Sequence, residues 1–235
     1  MTTPEHDLDL MNDQRGDRPS NPGIRLAFIS LIPITAIVLM LLVFSKLTDG
    51  GRDNWFAEAT QYDFMEVKGF SFVDQYAQPV DRSLFEGEWT VLTFVFTRCP
   101  LICPQTIGNL YTMSQRLENT RVRFAVLTID PVHDTPEVMR SYLDRLGFDP
   151  EKTTALIPPD AAAARAFMDD GLKLGLDVDE EMLASDDAEV LQQITHSTRF
   201  LLIGPDAKVR DMKPGDDYDE VVRFADAIRN QVMVR

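Results

Sequence analysis

The chain has 235 residues, enough for one sizeable domain with appendages. Its 38 Asp and Glu outnumber 23 Lys and Arg, for a net charge of -15. A surface of that sign repels nucleic acid and suits cationic partners or metal ions, which excludes a nucleic-acid binder.

Residues 1–25 are mostly polar and contain Pro19, Pro22 and Gly23, a composition that predicts a disordered tail. Leu26 to Ser45 carries no charge, and as a helix rising 1.5 Å per residue it would span about 30 Å, the thickness of a hydrocarbon core. The run is too long, and too far from the N-terminus, for a cleaved signal peptide, so residues 26–45 read as a transmembrane anchor. Arg15, Arg18 and Arg25 precede it while Lys46 and Arg52 follow, which favours a cytoplasmic tail. Glu5, Asp7, Asp9, Asp13 and Asp17 make the tail unlike a mitochondrial presequence. The expectation is a single-pass protein of a bacterial inner membrane, with its C-terminal domain in the periplasm. Residues 46–67 read as a linker and 68–235 as the folded domain.

From Phe70 the pattern is α/β. Phe70 to Val73 alternates as a strand, Asp74 to Pro79 turns, and Trp89 to Phe96 is a nearly unbroken apolar and β-branched run of the kind that fills a central strand. A helix is predicted from about Pro104 to Glu118 and a second buried strand over Val122 to Ile129. Thr135 and Pro136 mark a helix start, as N-cap and first residue, and Gly147 a stop. Thr154 to Ile157 reads as a short strand, and Asp160 caps an alanine-rich helix. The stretch Asp177 to Glu189 holds seven Asp and Glu and interrupts the rhythm. Arg199 to Ile203 and Val209 to Met212 form a hairpin, and Asp216 to Val232 closes the chain as a helix. Strands alternating with helices and ending in a hairpin predict a mixed sheet covered on both faces. With a dithiol following an early central strand, that is a thioredoxin-like fold.

Both cysteines stand in Thr97-Arg98-Cys99-Pro100-Leu101-Ile102-Cys103-Pro104, directly after the first buried strand. They stand four positions apart, one more than in a thioredoxin-type redox pair. If the segment is helical, an i, i+4 pair shares one face and two thiolates converge. The positive end of the following helix favours the thiolate form, with pKa values of roughly 3.5 to 7.5 in such settings.

Of the three histidines, His6 precedes the anchor, which leaves His133 and His196. His196, in Ile194-Thr195-His196-Ser197-Thr198, enters a late strand whose loop passes the dithiol turn in a thioredoxin-like fold. His133 lies in Asp130-Pro131-Val132-His133-Asp134, after the second core strand, where strand ends face the same cleft. Two thiolates and one imidazole form a soft to borderline set that suits copper, Cu(I) above all, and also holds zinc. Asp130 and Asp134 read either as groups supporting such a site or as a turn acid and a cap.

Phe96 to Pro104, Thr128-Ile129-Asp130-Pro131 followed by Asp134-Thr135-Pro136, and Thr195-His196-Ser197 before an apolar strand together give the chain its family likeness. It resembles the Sco/SenC family of membrane-anchored, thioredoxin-like, copper-binding assembly factors of cytochrome c oxidase. The resemblance implies copper ligation by Cys99, Cys103 and His196. It also implies a copper metallochaperone that serves the binuclear copper centre of the oxidase, taking metal from an upstream donor and passing it to the copper-receiving subunit. The family often has arginine where His133 stands. The competing reading is a membrane-tethered thiol–disulfide reductase, in which Cys99 and Cys103 act as a redox dithiol on the cysteines of that partner.

Overall fold

All six residues of Thr90–Val95 are buried. Successive side chains of a strand point to opposite faces, so an unbroken buried run means that both faces of the sheet are covered. The computed structural model describes residues 37–40, 62, 65–100, 102–175, 180–185, 187–191, 194 and 197–233. The chain divides into a unit of Met1–Asp53 and a unit of Asn54–Arg235. Within the first, the anchor expected at Leu26–Ser45 lies outside the described residues except for a helical turn at 37–40, whose four apolar side chains are exposed. Among the described residues, no helix is long and apolar enough to cross a membrane.

In the second unit, β1 (Ser71–Val73) and β2 (Pro79–Asp81) form a hairpin. Strand β3 (Thr90–Val95) leads through α1 (Ile102–Arg116) to β4 (Arg123–Thr128), and α2 (Pro136–Leu146) leads on to β5 (Thr153–Leu156). Next come α3 (Ala161–Ala166), a π-helical turn at Phe167–Gly171, and two short helices, α4 (Glu180–Leu183) and α5 (Ala188–Leu191). Strands β6 (Arg199–Ile203) and β7 (Val209–Pro214) and helix α6 (Tyr218–Met233) end the fold. The sheet order is β5-β4-β3-β6-β7, with β3, β4 and β5 parallel and β6 and β7 antiparallel to their neighbours. This is the mixed, thioredoxin-like sheet expected from the sequence.

The signals at α2 act as read. Thr135 caps it by accepting from the Val138 N–H at 3.4 Å, Pro136 opens it, and Gly147 stops it in the left-handed region at φ 81°. Helix α1 begins two residues before Pro104. The first-turn N–H groups of a helix lack intrahelical partners, so a proline there interrupts nothing. The acidic stretch, read as a break in the pattern, holds α4 and the start of α5, and Leu183 within it, like Leu191 and Ile194 just after it, lies in the core.

The linker expected over 46–67 also ends inside the fold. Met65 and Val67 are buried, the Val67 N–H donates to Ala207 O at 2.9 Å, and the Val209 N–H donates to Met65 O at 3.0 Å. Backbone pairing with the β6–β7 turn thus brings the last residues of that segment onto the sheet.

Candidate functional site

The parallel register sets Val95 of β3 beside Thr128 of β4. The antiparallel register of β6 brings its first residue to the same end of β3, where Thr93 Oγ1 donates to Arg199 O at 3.5 Å. Three segments therefore meet at one end of the sheet: the dithiol turn after β3, the Ile129–Thr135 loop after β4, and the chain that enters β6.

In the dithiol turn the Cys99 N–H donates to Phe96 O at 3.2 Å, closing a tight turn before α1 begins. Cys103 lies in the first turn of α1, while Cys99 precedes the helix. The two sulfurs converge because of the turn, and not because they share a helical face as the spacing had suggested. Neither cysteine is in a disulfide, and Cys99 is 8% exposed and Cys103 1%. The thiol of Cys103 is hydrogen-bonded to that of Cys99, and this bond, together with burial, holds it well above the ordinary thiol range. The helix terminus was expected to favour a thiolate here, but desolvation and the neighbouring sulfur prevail. Binding a metal would then displace protons from the pair.

Beneath the turn lies a buried carboxylate. The Thr97 N–H donates to both oxygens of Asp134, at 3.2 and 3.1 Å, and the hydroxyls of Thr97 and Thr128 donate to it as well. Burial pushes the Asp134 carboxyl above the usual carboxylate range, while the bonds from Thr128 and Thr97 work in the opposite direction. Asp134 is not the helix cap, since Thr135 fills that role; it anchors the dithiol turn to β4. The phenol of Tyr142, on α2, is pushed upward by burial first, with a further rise from Cys103, Asp134 and Cys99.

The side chain of Arg98 turns to the other flank. Its Nε and Nη2 donate to Asp130 Oδ2 at 3.1 and 2.8 Å, and its Nη1 donates to Ser185 O at 2.9 Å. Nη2 also donates to Leu183 O. Nδ1 of His133 sits 2.9 Å from Arg98 Nη2 and 2.9 Å from Asp130 Oδ1. Asp130 is fully buried and serves both groups. The structure thus gathers Cys99, Cys103, Asp130, Asp134 and His133 at one end of the sheet, with His133 engaged by Asp130 and Arg98. Sequence reading passed over Arg98 as a bridge and Tyr142 altogether. An arginine set between a buried strand and a cysteine was the only local hint of the first.

His196 lies outside the described residues, which resume at Ser197. The Gly215 N–H donates to Thr198 O at 2.9 Å, and Asn109 Nδ2 of α1 donates to Gly215 O at 2.8 Å. Gln105 Nε2, half a turn beyond Cys103, donates to Asp216 O at 2.7 Å. Two residues after His196, therefore, the chain is fastened to the helix that carries Cys103. Among the described residues no three of His, Cys, Asp and Glu gather as a metal cluster.

A thioredoxin-like sheet with a buried dithiol pair, not joined as a disulfide, at the turn from its central strand into the next helix defines a thioredoxin-like dithiol protein. Within that class the chain belongs to the SCO1/SenC family, whose family model matches residues 58–232. It is similar to the SCO1 protein homolog of Bacillus subtilis, with 25% identity over 162 residues, covering 67% of this chain and 79% of that one. Among solved structures it is similar to BsSco, described as a member of the Sco family of cytochrome c oxidase assembly proteins with a disulfide switch. That match has a TM-score of 0.59 at 23% identity and covers 72% of this chain and 96% of that one. It is also similar to Arabidopsis thaliana ScoI, solved with copper bound, at a TM-score of 0.57 and 18% identity, over 72% of this chain and 98% of that one.

Proposed function

We propose that this chain binds copper through Cys99, Cys103 and His196 and supplies it for assembly of the binuclear copper centre of cytochrome c oxidase. The observation that carries the reading is the buried dithiol pair Cys99 and Cys103, hydrogen-bonded sulfur to sulfur and not in a disulfide, at the end of the sheet where the chain enters β6. Two thiolates suffice for Cu(I) in near-linear geometry, and an imidazole adds the donor that Cu(II) prefers. Copper-bound ScoI and the assembly role of the Sco family lend support through shared fold and family. The partners are then an upstream copper donor and the copper-receiving subunit of the oxidase. The uncharged run Leu26–Ser45 serves as the anchor that holds residues 68–235 on the periplasmic side of a bacterial inner membrane.

The test is metal analysis of the reduced, tag-free protein after loading and desalting. One copper per chain is expected, and Cys99→Ser or Cys103→Ser should abolish tight binding. Stoichiometric copper retained by the double variant overturns the proposal.

The hydrogen bond between the sulfurs also favours a second reading, thiol–disulfide reduction. Cys99, the less buried of the two, attacks a partner disulfide as thiolate and releases one partner thiol. Cys103 then displaces the second partner thiol and closes the Cys99–Cys103 disulfide. This chemistry has no need of His196, whereas retention of Cu(II) does.

A further inference from the structure

Arg98 joins two parts of the molecule that no strand pairing joins. Its backbone immediately precedes Cys99. Its guanidinium reaches Asp130, 32 residues on, and the carbonyls of Leu183 and Ser185, 85 and 87 residues on. Those carbonyls belong to α4 and the residues just after it, in the acidic stretch Asp177–Glu189, which precedes His196 in the sequence. Among the described residues between β5 and β6, no ladder holds this stretch. It rests on its own short-range bonds, such as Leu191 N–H to Asp187 O at 3.0 Å and Ile194 N–H to Leu191 O at 3.3 Å, and on the burial of Leu183, Leu191 and Ile194.

The arginine is chemically suited to the task. A guanidinium offers a rigid planar fork of five donors, has no acceptor and keeps its charge. Asp130, buried on the β4 side, balances that charge, and the remaining N–H groups are left to collect backbone carbonyls. His133 Nδ1 closes the cluster on its outer side. Beyond it, a cleft of about 340 Å³ separates Pro131, Val132 and His133 on one wall from Leu183 and Ala184 on the other, and Arg98 ties those two walls together.

We propose that Arg98 is a positioning residue that fastens the dithiol turn to residues 183–185, so that the acidic segment is registered against Cys99 by a guanidinium bridge, in addition to the hold that the sheet gives the entry to β6. The inference rests on the reading of Cys99, Cys103 and His196 as copper ligands.

The experiment compares wild type with Arg98→Gln, Arg98→Lys and the double variant Arg98→Gln/Asp130→Asn, which leaves no buried carboxylate unpaired. Hydrogen exchange is followed in peptides covering 180–194 and 90–116, and release of Cu(II) is followed through the thiolate-to-copper absorption band. Loss of charge-assisted hydrogen bonds should speed exchange over 180–194 by about tenfold or more in Arg98→Gln and the double variant, with the sheet peptides unchanged. Cu(II) release should quicken about tenfold, and lysine should restore only part of either effect because it lacks the fork. Unchanged exchange over 180–194 in the double variant overturns the bridge. Faster exchange with wild-type Cu(II) release overturns its role at the copper site. If no form of the chain, wild type included, takes up copper, the ligand assignment falls and the exchange result alone decides the bridge.

Discussion

Gly215 is the position where one added methyl group should do most damage to the approach of β6 to the site. A Cβ built on it would lie 2.4 Å from the carbonyl oxygen of Thr198 and 2.6 Å from the ring of Phe200. Both neighbours resist. The first is backbone, and the second is fully buried in the core. To accept alanine, the β7–α6 turn must move away from β6 by more than half an ångström, which weakens the Gly215–Thr198 hydrogen bond and the Asn109 bond behind it. Overpacking of this kind costs about 1–3 kcal/mol, and a weakened hydrogen bond adds about 1 kcal/mol. The reduced entropy of the unfolded chain returns about 0.5–1 kcal/mol, for a net loss of about 1–3.5 kcal/mol. With a urea slope of about 2 kcal/mol/M, the midpoint of unfolding should fall by about 0.5–1.8 M. Gly108 provides the control. It lies in α1, and nothing stands within 4 Å of a Cβ there, so Gly108→Ala should stabilise the helix by about 0.5–1 kcal/mol. Urea unfolding followed by tryptophan fluorescence measures both variants. If Gly215→Ala leaves the midpoint within about 0.3 M of wild type, or if both substitutions shift it in the same direction, the packing argument for this corner is wrong.

Three further outcomes are expected. His196→Ala should weaken Cu(II) binding strongly and leave the Cys99–Cys103 redox couple largely intact, whereas His133→Ala, whose ring is already engaged by Asp130 and Arg98, should matter less; loss of the thiolate-to-copper band in His133→Ala alone reverses the assignment. Because burial raises the Asp134 pKa above its unfolded value of about 3.9, the stability it contributes is full below that value and is lost as pH rises through the folded one, so Asp134→Asn should flatten this part of the stability profile; an unchanged slope in urea titrations at stepped pH counts against it. A reporter fused after Arg235 should be active only if it works in the periplasm, and recovery of mature protein starting near Thr60 would show a cleaved signal in place of an anchor.

Features with a local cause were legible in the sequence. The run of β-branched and aromatic residues announced β3, and Thr135, Pro136 and Gly147 marked the ends of α2, because caps and buried strands are set by nearest neighbours. The dithiol was legible as a pair, though not its geometry. Spacing alone suggested a shared helical face, while a turn closed on Phe96 O places Cys99 ahead of the helix. The thiol chemistry was misjudged for a related reason. A helix terminus can be read from sequence, but the desolvation of Cys103 depends on everything packed over it. Least legible were the contacts over long separations. Nothing near Arg98 points to Leu183 or Ser185, and nothing near Asp134 reveals that it lies beneath Thr97, since both follow from sheet register. The burial of Met65 and Val67 was hidden in the same way, because their partners in the β6–β7 turn come about 140 residues later in the chain.

The position of β3 in the middle of the sheet has a consequence in time. Its parallel partner β4 follows at once through α1, so the cysteine turn and its Asp134 support can form while the chain is still short. Its antiparallel partner β6 comes only after Arg199, and the bond from Asn109 to Gly215 closes a separation of 106 residues. Such distant pairings are the slow steps of folding, because the loop must close before the contact repays it. Until they form, β3 has one bare edge and α1 lacks its hold on the β7–α6 turn. The thiols are thus in place long before the entry to β6 is fastened to α1 through Gly215 and Asn109. A nascent molecule passes through a stage in which the Cys99–Cys103 turn has formed while this edge of β3 is still open, and oxidation of the pair during that interval competes with completion of the fold.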